Sequence, residues 1–248
     1  MCFFEKALEF IFLPSCGVCG KLGEGYLCNN CGKELEKYVI CVKDKFDERE
    51  LNSQLESKLG QRVQNDNFEK ILYKDKQENK NKDTIYKFHI FRYEELIRDL
   101  IIQYKFNEKS YLYKTFCEFI VKNKKTLDFI KSYDIIIPVP IHKKRYRARG
   151  YNQSELISKE LAHRCQIKCY NDILIKKVNN NAQSTLNKNE RLENVKNVYK
   201  IIKPEKINNK KVLIFDDIYT TGATVQACAL ELKKAHTKEI GILTLAKD

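Results

Sequence analysis

Two adjacent carboxylates, Asp216 and Asp217, stand at the end of the apolar run Val212-Leu213-Ile214-Phe215. They are followed by Ile218-Tyr219 and then Thr220-Thr221-Gly222-Ala223-Thr224. The order is a buried-type strand, a short hydroxyl-rich loop and the start of a helix. A loop that feeds a helix N-terminus offers backbone N–H groups and the positive end of the helix dipole, which suits a phosphate. Gly222 lets the backbone approach the anion closely, and the threonines add hydroxyl donors. Two carboxylates just upstream are wrong for phosphate. They suit sugar hydroxyls, or a divalent cation held through them. Asp216 and Asp217 are thus expected to grip a ribose, and Thr220, Thr221, Gly222, Ala223 and Thr224 its 5′-phosphate. The alternative is an ordinary turn with an Asp-Asp helix cap, which leaves the Thr-Thr-Gly-Ala-Thr run unexplained. No Gly-Lys-Ser/Thr follows, so this is not a Walker-type loop.

A second constellation follows the strand-like run Asp134–Val139. Five of the seven residues from Lys143 to Arg149 are Lys or Arg: Lys143, Lys144, Arg145, Arg147 and Arg149. Such a basic loop at a strand end fits a pyrophosphate or a nucleic-acid backbone. Tyr146 and Tyr151 interleave with the charges and offer faces on which bases could stack. Of the lone histidines His142 and His163, only His142 lies in this loop. No residue stands out as catalytic.

The third is Cys16-x-x-Cys19 and Cys28-x-x-Cys31, two knuckles eight residues apart. Cys-x-x-Cys places two thiolates on one tight turn, and four thiolates complete a tetrahedron around Zn2+ with no open position. One structural zinc site is expected, supplying folding energy that about forty residues cannot find in a core. The other cysteines, Cys2, Cys41, Cys117, Cys165, Cys169 and Cys228, are scattered, as small buried hydrophobes usually are.

The elements that must position these residues are legible in outline. Strands are expected over Ile85–Tyr93, Asp134–Val139, Asp172–Lys176, Lys211–Asp216 and Glu239–Leu245. Helices are expected over Glu94–Lys105, Tyr111–Val121, Tyr151–Cys165 and Thr224–Ala235. Strands alternating with helices imply βαβ units and a mostly parallel sheet, an α/β fold. The expected organisation is a zinc ribbon with a short leading helix over residues 1–41 and a polar linker or insertion over 42–83. An α/β domain fills 84–248. A short helix around Leu51–Leu59 and a structureless end from Lys74 to Asp83 belong to the linker.

The chain has 248 residues, is 43% hydrophobic and 32% charged, and carries a formal charge of +13. That charge fits either a solvated lysine-rich surface or a polyanion partner. No run of about 18 apolar residues occurs, so no membrane span is expected. Met1–Leu13 is interrupted by Glu5, Lys6 and Glu9 and reads as an amphipathic helix rather than a signal peptide, which with the unpaired-cysteine pattern places the protein in the cytoplasm.

The thirteen residues Val212–Thr224 resemble the signature of type I phosphoribosyltransferases for 5-phosphoribosyl pyrophosphate (PRPP). Pro138-Val139-Pro140, Arg149-Gly150-Tyr151-Asn152-Gln153, Gln183-Ser184-Thr185-Leu186 and Arg191-Leu192-Glu193-Asn194-Val195 extend the likeness. Together they resemble the ComF family of bacterial competence proteins. The resemblance implies a type I phosphoribosyltransferase fold, PRPP with Mg2+ as ligand, and a role in DNA uptake during natural transformation. It implies that Lys177–Asn189 is a loop closing over PRPP and that Arg191 reaches the pyrophosphate. A glycosyltransferase reaction with an unnamed acceptor is one reading. A single-stranded-DNA-binding role, with PRPP only regulatory or unused, is another. Contact with other competence proteins is a third. The family's usual second Cys-x-x-Cys ribbon is missing from 42–83, where only Cys41 lies nearby.

Overall fold

The computed structural model describes residues 13–46, 85–106, 109–177 and 198–248. The expected leading helix, the Leu51–Leu59 helix, the Lys74–Asp83 stretch, most of the closing loop, and Gln183 and Arg191 with their motifs lie outside the described residues.

A six-stranded sheet forms the centre. In chain order the elements are α1 (Asn29–Glu36), β1 (Val39–Phe46), β2 (Ile85–Arg92), α2 (Glu95–Phe106), α3 (Leu112–Lys122) and α4 (Lys124–Lys131). Then come β3 (Ile135–Pro138), α5 (Lys143–Arg149), α6 (Gln153–Cys165), β4 (Lys168–Cys169), β5 (Leu174–Lys176) and β6 (Tyr199–Ile201). The last are β7 (Lys211–Tyr219), α7 (Ala223–Lys234) and β8 (Glu239–Lys247). The sheet runs β1-β2-β8-β7-β3-β4, and β5 pairs with β6 as a separate ribbon. All neighbours in the large sheet are parallel except β1 and β2. The parallel strands β3, β7 and β8 are buried on both faces, which explains their unbroken apolar runs.

Two cores sandwich the sheet. One holds Phe88, Phe116, Ile120, Leu161, Phe215 and Leu243 under α2, α3 and α6. The other holds Ile137, Ile214, Val225, Cys228, Leu232 and Ile242 under α7. Chain order reverses between β3 and β7, since β3 leads through α6 out to β4 while β7 leads through α7 back to β8. Such a switch point opens a crevice at the carboxyl ends of the two strands. Both chemistry-bearing stretches of the α/β domain begin there.

Two expectations change. Residues 42–46, expected in the linker, complete the edge strand β1, which pairs with β2 from Val39 to Phe46 with a bulge between Val39 and Val42. The basic loop is instead the helix α5. His142 caps it by accepting from the Lys144 N–H at 3.2 Å, and Gly150 ends it in the left-handed region at φ 78°. Lys, Arg and Ala are good helix formers, and a glycine just past the end is a standard stop. The helix α4, capped by Asn123, was not expected, because its eight residues hold only three apolar side chains.

The cysteine module leans on the main domain. Cys16, Leu27, Cys28, Cys31 and Leu35 belong to the same core as Phe116 and Leu112. The Thr115 hydroxyl donates to the Tyr26 carbonyl at 2.8 Å, and the Tyr26 N–H donates to Glu118 at 3.0 Å. A Cβ at Gly17 would collide with the Thr115 hydroxyl, so only glycine permits this close approach.

Candidate functional site

β7 carries Asp216 and Asp217 out of the core at the switch point, both partly buried. Consecutive strand residues point to opposite faces, so the two carboxylates meet different partners. Asp217 pairs with Lys105 at 2.9 Å, with about 15% and 17% of the two side chains exposed. Asp216 accepts from the Asp217 N–H at 2.9 Å and from the Ser154 hydroxyl at 3.3 Å. Burial and then the neighbouring Asp217 charge push the Asp216 carboxyl up to about 7, against the pull of the Asp217 N–H, Lys105 and Ser154. Asp216 is therefore the carboxyl that holds its proton toward neutral pH, while Asp217 is paired with a lysine.

The chain then turns over Thr220 and Thr221 to Gly222, which sits at φ 75° as N-cap of α7 and brings no side chain to the first turn. Thr220, Thr221, Ala223 and Thr224 are exposed, and they line one small pocket with Asp216 and Tyr219. The Thr221 hydroxyl accepts from the Ala223 N–H at 3.5 Å. The ribbon β5–β6 packs into the core beneath α7. There the Lys176 ammonium lies 5.4 Å over the Tyr199 ring. Burial and then Arg145 push Lys176 down, with Cys228 and Asp216 acting the other way.

The basic cluster divides. Lys143, Lys144, Arg145 and Arg147 are exposed together with Tyr146. Arg149 is half-buried, donates to Gln153 at 3.0 Å and stacks 4.8 Å over Phe106. Its burial lowers its pKa, Asp217 pulls the other way, and Arg145 adds to the lowering. The structure so brings together Asp216, Asp217, Arg145, Arg149 and the Thr220–Thr224 loop, and leaves Lys143, Lys144 and Arg147 to solvent. His142 serves as a helix cap.

Lys105, Ser154, Lys176 and Tyr199 escape sequence reasoning. Lys105 looks like any lysine in the last turn of an amphipathic helix. Only the tertiary placement of α2 beside β7 gives it an acidic partner.

In the cysteine module, the ligand sulfurs of Cys16, Cys19, Cys28 and Cys31 all lie within 4.8 Å of one another. The Cys19 and Cys28 sulfurs are 3.7 Å apart. A tetrahedron with metal–sulfur bonds of about 2.3 Å has an edge of about 3.8 Å, so the donor set fits a single metal ion. Burial works to raise the Cys16 thiol, but N–H groups of Cys19, Cys28 and Val18 prevail and bring it down to about 7, whereas burial and then the neighbouring thiols push Cys31 up.

Asp216 makes a prediction with a definite sign. Its folded pKa is raised, so its contribution is present at low pH and is lost as pH rises from about 4 through about 7. Asp216→Asn is expected to stabilise the unliganded protein by about 2 kcal/mol at pH 8, with the gain shrinking toward zero at pH 4. Urea unfolding at both pH values measures it. A destabilised variant at pH 8 would contradict the assignment.

Comparison with known proteins agrees with the geometry. The phosphoribosyl transferase domain family matches residues 151–248. Competence protein F of Haemophilus influenzae is 29% identical over 162 residues, covering 64% of this chain and 71% of its own length. Competence protein ComFC of Streptococcus pneumoniae is 32% identical over 158 residues, covering 64% of this chain and 66% of its own. The DNA utilization protein YhgH of Escherichia coli K12 is 26% identical over 151 residues, covering 60% and 66%. This chain thus spans roughly two thirds of the length of these relatives. With a four-cysteine module, a parallel sheet and a phosphoribosyl transferase domain, the chain belongs to the ComF family of competence proteins.

Proposed function

We propose that the crevice between β3 and β7 binds PRPP together with Mg2+, and that the protein acts in the cytoplasm during DNA uptake. One observation carries the ligand: two adjacent, partly buried carboxylates lie directly before a helix N-terminus that is capped by a glycine and surrounded by exposed threonines. Asp216 and Asp217 would accept hydrogen bonds from the ribose hydroxyls. The Thr220–Thr224 loop would hold the 5′-phosphate through backbone N–H and hydroxyl groups. Arg149 and Arg145, beside the pair, would offset the pyrophosphate charge. Mg2+ would arrive with the ligand and screen that charge. If phosphoribosyl transfer follows, the bond from the anomeric carbon to pyrophosphate breaks as an acceptor atom bonds to that carbon. These residues would then position the ribose and stabilise the departing charge.

The DNA role is supported by the names of the relatives, competence proteins and a DNA utilization protein. The exposed Lys143, Lys144, Arg145 and Arg147 with Tyr146 between them favour a second reading, direct single-strand binding. Contact with other competence proteins belongs to the same proposal. Among the described residues, no helix is long and apolar enough to cross a membrane.

Calorimetric titration separates the readings. PRPP with Mg2+ should bind the wild-type chain, and Asp216→Asn/Asp217→Asn should weaken it at least about 100-fold, the scale of losing both charge-assisted contacts to the ribose. A labelled oligothymidylate in place of PRPP should respond to Lys143→Ala/Lys144→Ala rather than to the aspartates, and should weaken steeply with salt. No PRPP binding by the wild type overturns the PRPP reading.

We assign the Cys16, Cys19, Cys28 and Cys31 cluster to one structural Zn2+. Four thiolates leave no position for a substrate. Elemental analysis should find about one zinc per chain, and Cys28→Ser should lose it. Because the module shares the main core, the same substitution should lower Tm for the whole chain. Metal-free protein of unchanged Tm would refute the assignment.

A further inference from the structure

The sheet row that contains Asp216 continues away from the crevice into a buried polar group. Asp216 on β7 pairs with Thr244 on β8, and Thr244 pairs with His89 on β2. Residues in register on adjacent parallel strands share one face of the sheet. His89 and Thr244 are both fully buried. Nδ1 of His89 and the Thr244 hydroxyl share a hydrogen bond of 2.7 Å, while Nε2 has no partner among the described residues. Burying an unpaired ring nitrogen is costly, and leucine or phenylalanine would fill the same space without that cost.

What the histidine touches is the last residue of β7. Its ring lies 4.7 Å from the Tyr219 ring, tilted by 54°. Lys87, two residues earlier on β2 and itself buried, places its ammonium 5.4 Å over the same tyrosine. The Tyr219 carbonyl accepts from the Asp248 N–H at 3.0 Å. The tyrosine is thus fixed from several sides. Its hydroxyl lies against Gly222, where any Cβ would collide with it. Gly222 is the turn that opens α7 and completes the Thr220–Thr224 loop. A contact chain therefore runs from Thr244 through His89 and Tyr219 to the phosphate loop. Burial, then Lys247 and Lys87, hold His89 down at about 4, with Asp44 opposing. The ring is accordingly neutral at working pH, and it acts by shape and hydrogen bonding, not by charge.

We propose that His89 is a positioning residue for phosphate binding. It fixes the Tyr219 ring, and the Tyr219 hydroxyl fixes the Gly222 turn that receives a phosphate monoester. The inference rests on the phosphate reading of the Thr220–Thr224 loop given above. It adds two residues, on β2 and at the end of β7, that touch neither ribose nor pyrophosphate in that reading.

A double-mutant cycle on the full, metal-loaded chain tests it, with ribose 5-phosphate as the calorimetric probe. His89→Ala and Tyr219→Ala should each weaken binding by about tenfold, and the double variant should be no weaker than Tyr219→Ala alone. His89→Phe, which keeps a ring against Tyr219, should stay within about threefold of wild type. A role in global stability alone would lower Tm and leave affinity unchanged at a temperature where every variant is folded, and that result overturns the proposal. Additive losses in the cycle overturn it as well. If His89→Ala does not fold, Tyr219→Phe decides, since it keeps the stacked ring and deletes the hydroxyl. Its affinity should fall several-fold, and an unchanged affinity refutes the strut. Failure of the wild type itself to bind ribose 5-phosphate overturns the phosphate reading and this inference together, whereas wild-type binding with unaffected variants overturns this inference alone.

Discussion

Two carboxylates on consecutive residues cannot both ionise freely at the rim of an apolar core, and the organisation of the site follows from that constraint. The structure separates them by the alternation of β7. Asp217 turns toward α2 and is neutralised by Lys105. Asp216 turns toward the loop side and keeps its proton to about pH 7. Ionising Asp216 thus carries an electrostatic penalty in the folded chain.

The parallel sheet makes that placement possible. Reversal of strand order between the parallel β3 and β7 delivers the basic helix α5 and the threonine loop to one crevice, although some seventy residues separate them in sequence. The opposing charges then meet without any local sequence signal. Arg149 is held back by Gln153 and Phe106, half-buried near Asp217, while Lys143, Lys144 and Arg147 stay in solvent. One basic run thereby presents two surfaces, an inner one beside the acidic pair and an outer one in solvent.

Much of this was legible beforehand. The buried strands β3, β7 and β8 betray themselves by unbroken apolar runs, and the four cysteines by their spacing. The acidic pair and the threonine loop are contiguous, so their joint chemistry can be read from one segment. Four things could not be read. Lys105 and Ser154 reach the pair only through packing of α2 and α6. The basic run looked like a loop because its charge drew attention away from its helix formers, its His142 cap and its Gly150 stop. The strand β1 was hidden because Val39–Phe46 mixes apolar and charged residues on an edge, and its partner β2 lies beyond a long polar stretch. The cysteine module reads in sequence as a free-standing ribbon, yet shares its core with α3, which no spacing rule reveals.

The central claim is the location of phosphate binding, and backbone amide chemical shifts test it most directly. Titration of PRPP and Mg2+ into 15N-labelled protein should move the N–H resonances of Thr221, Gly222, Ala223 and Thr224 by the largest amounts, with Asp216 and Asp217 following. Shifts confined to Lys143–Arg149, with the Thr220–Thr224 loop unmoved, would contradict the account and show that the crevice serves a different anion.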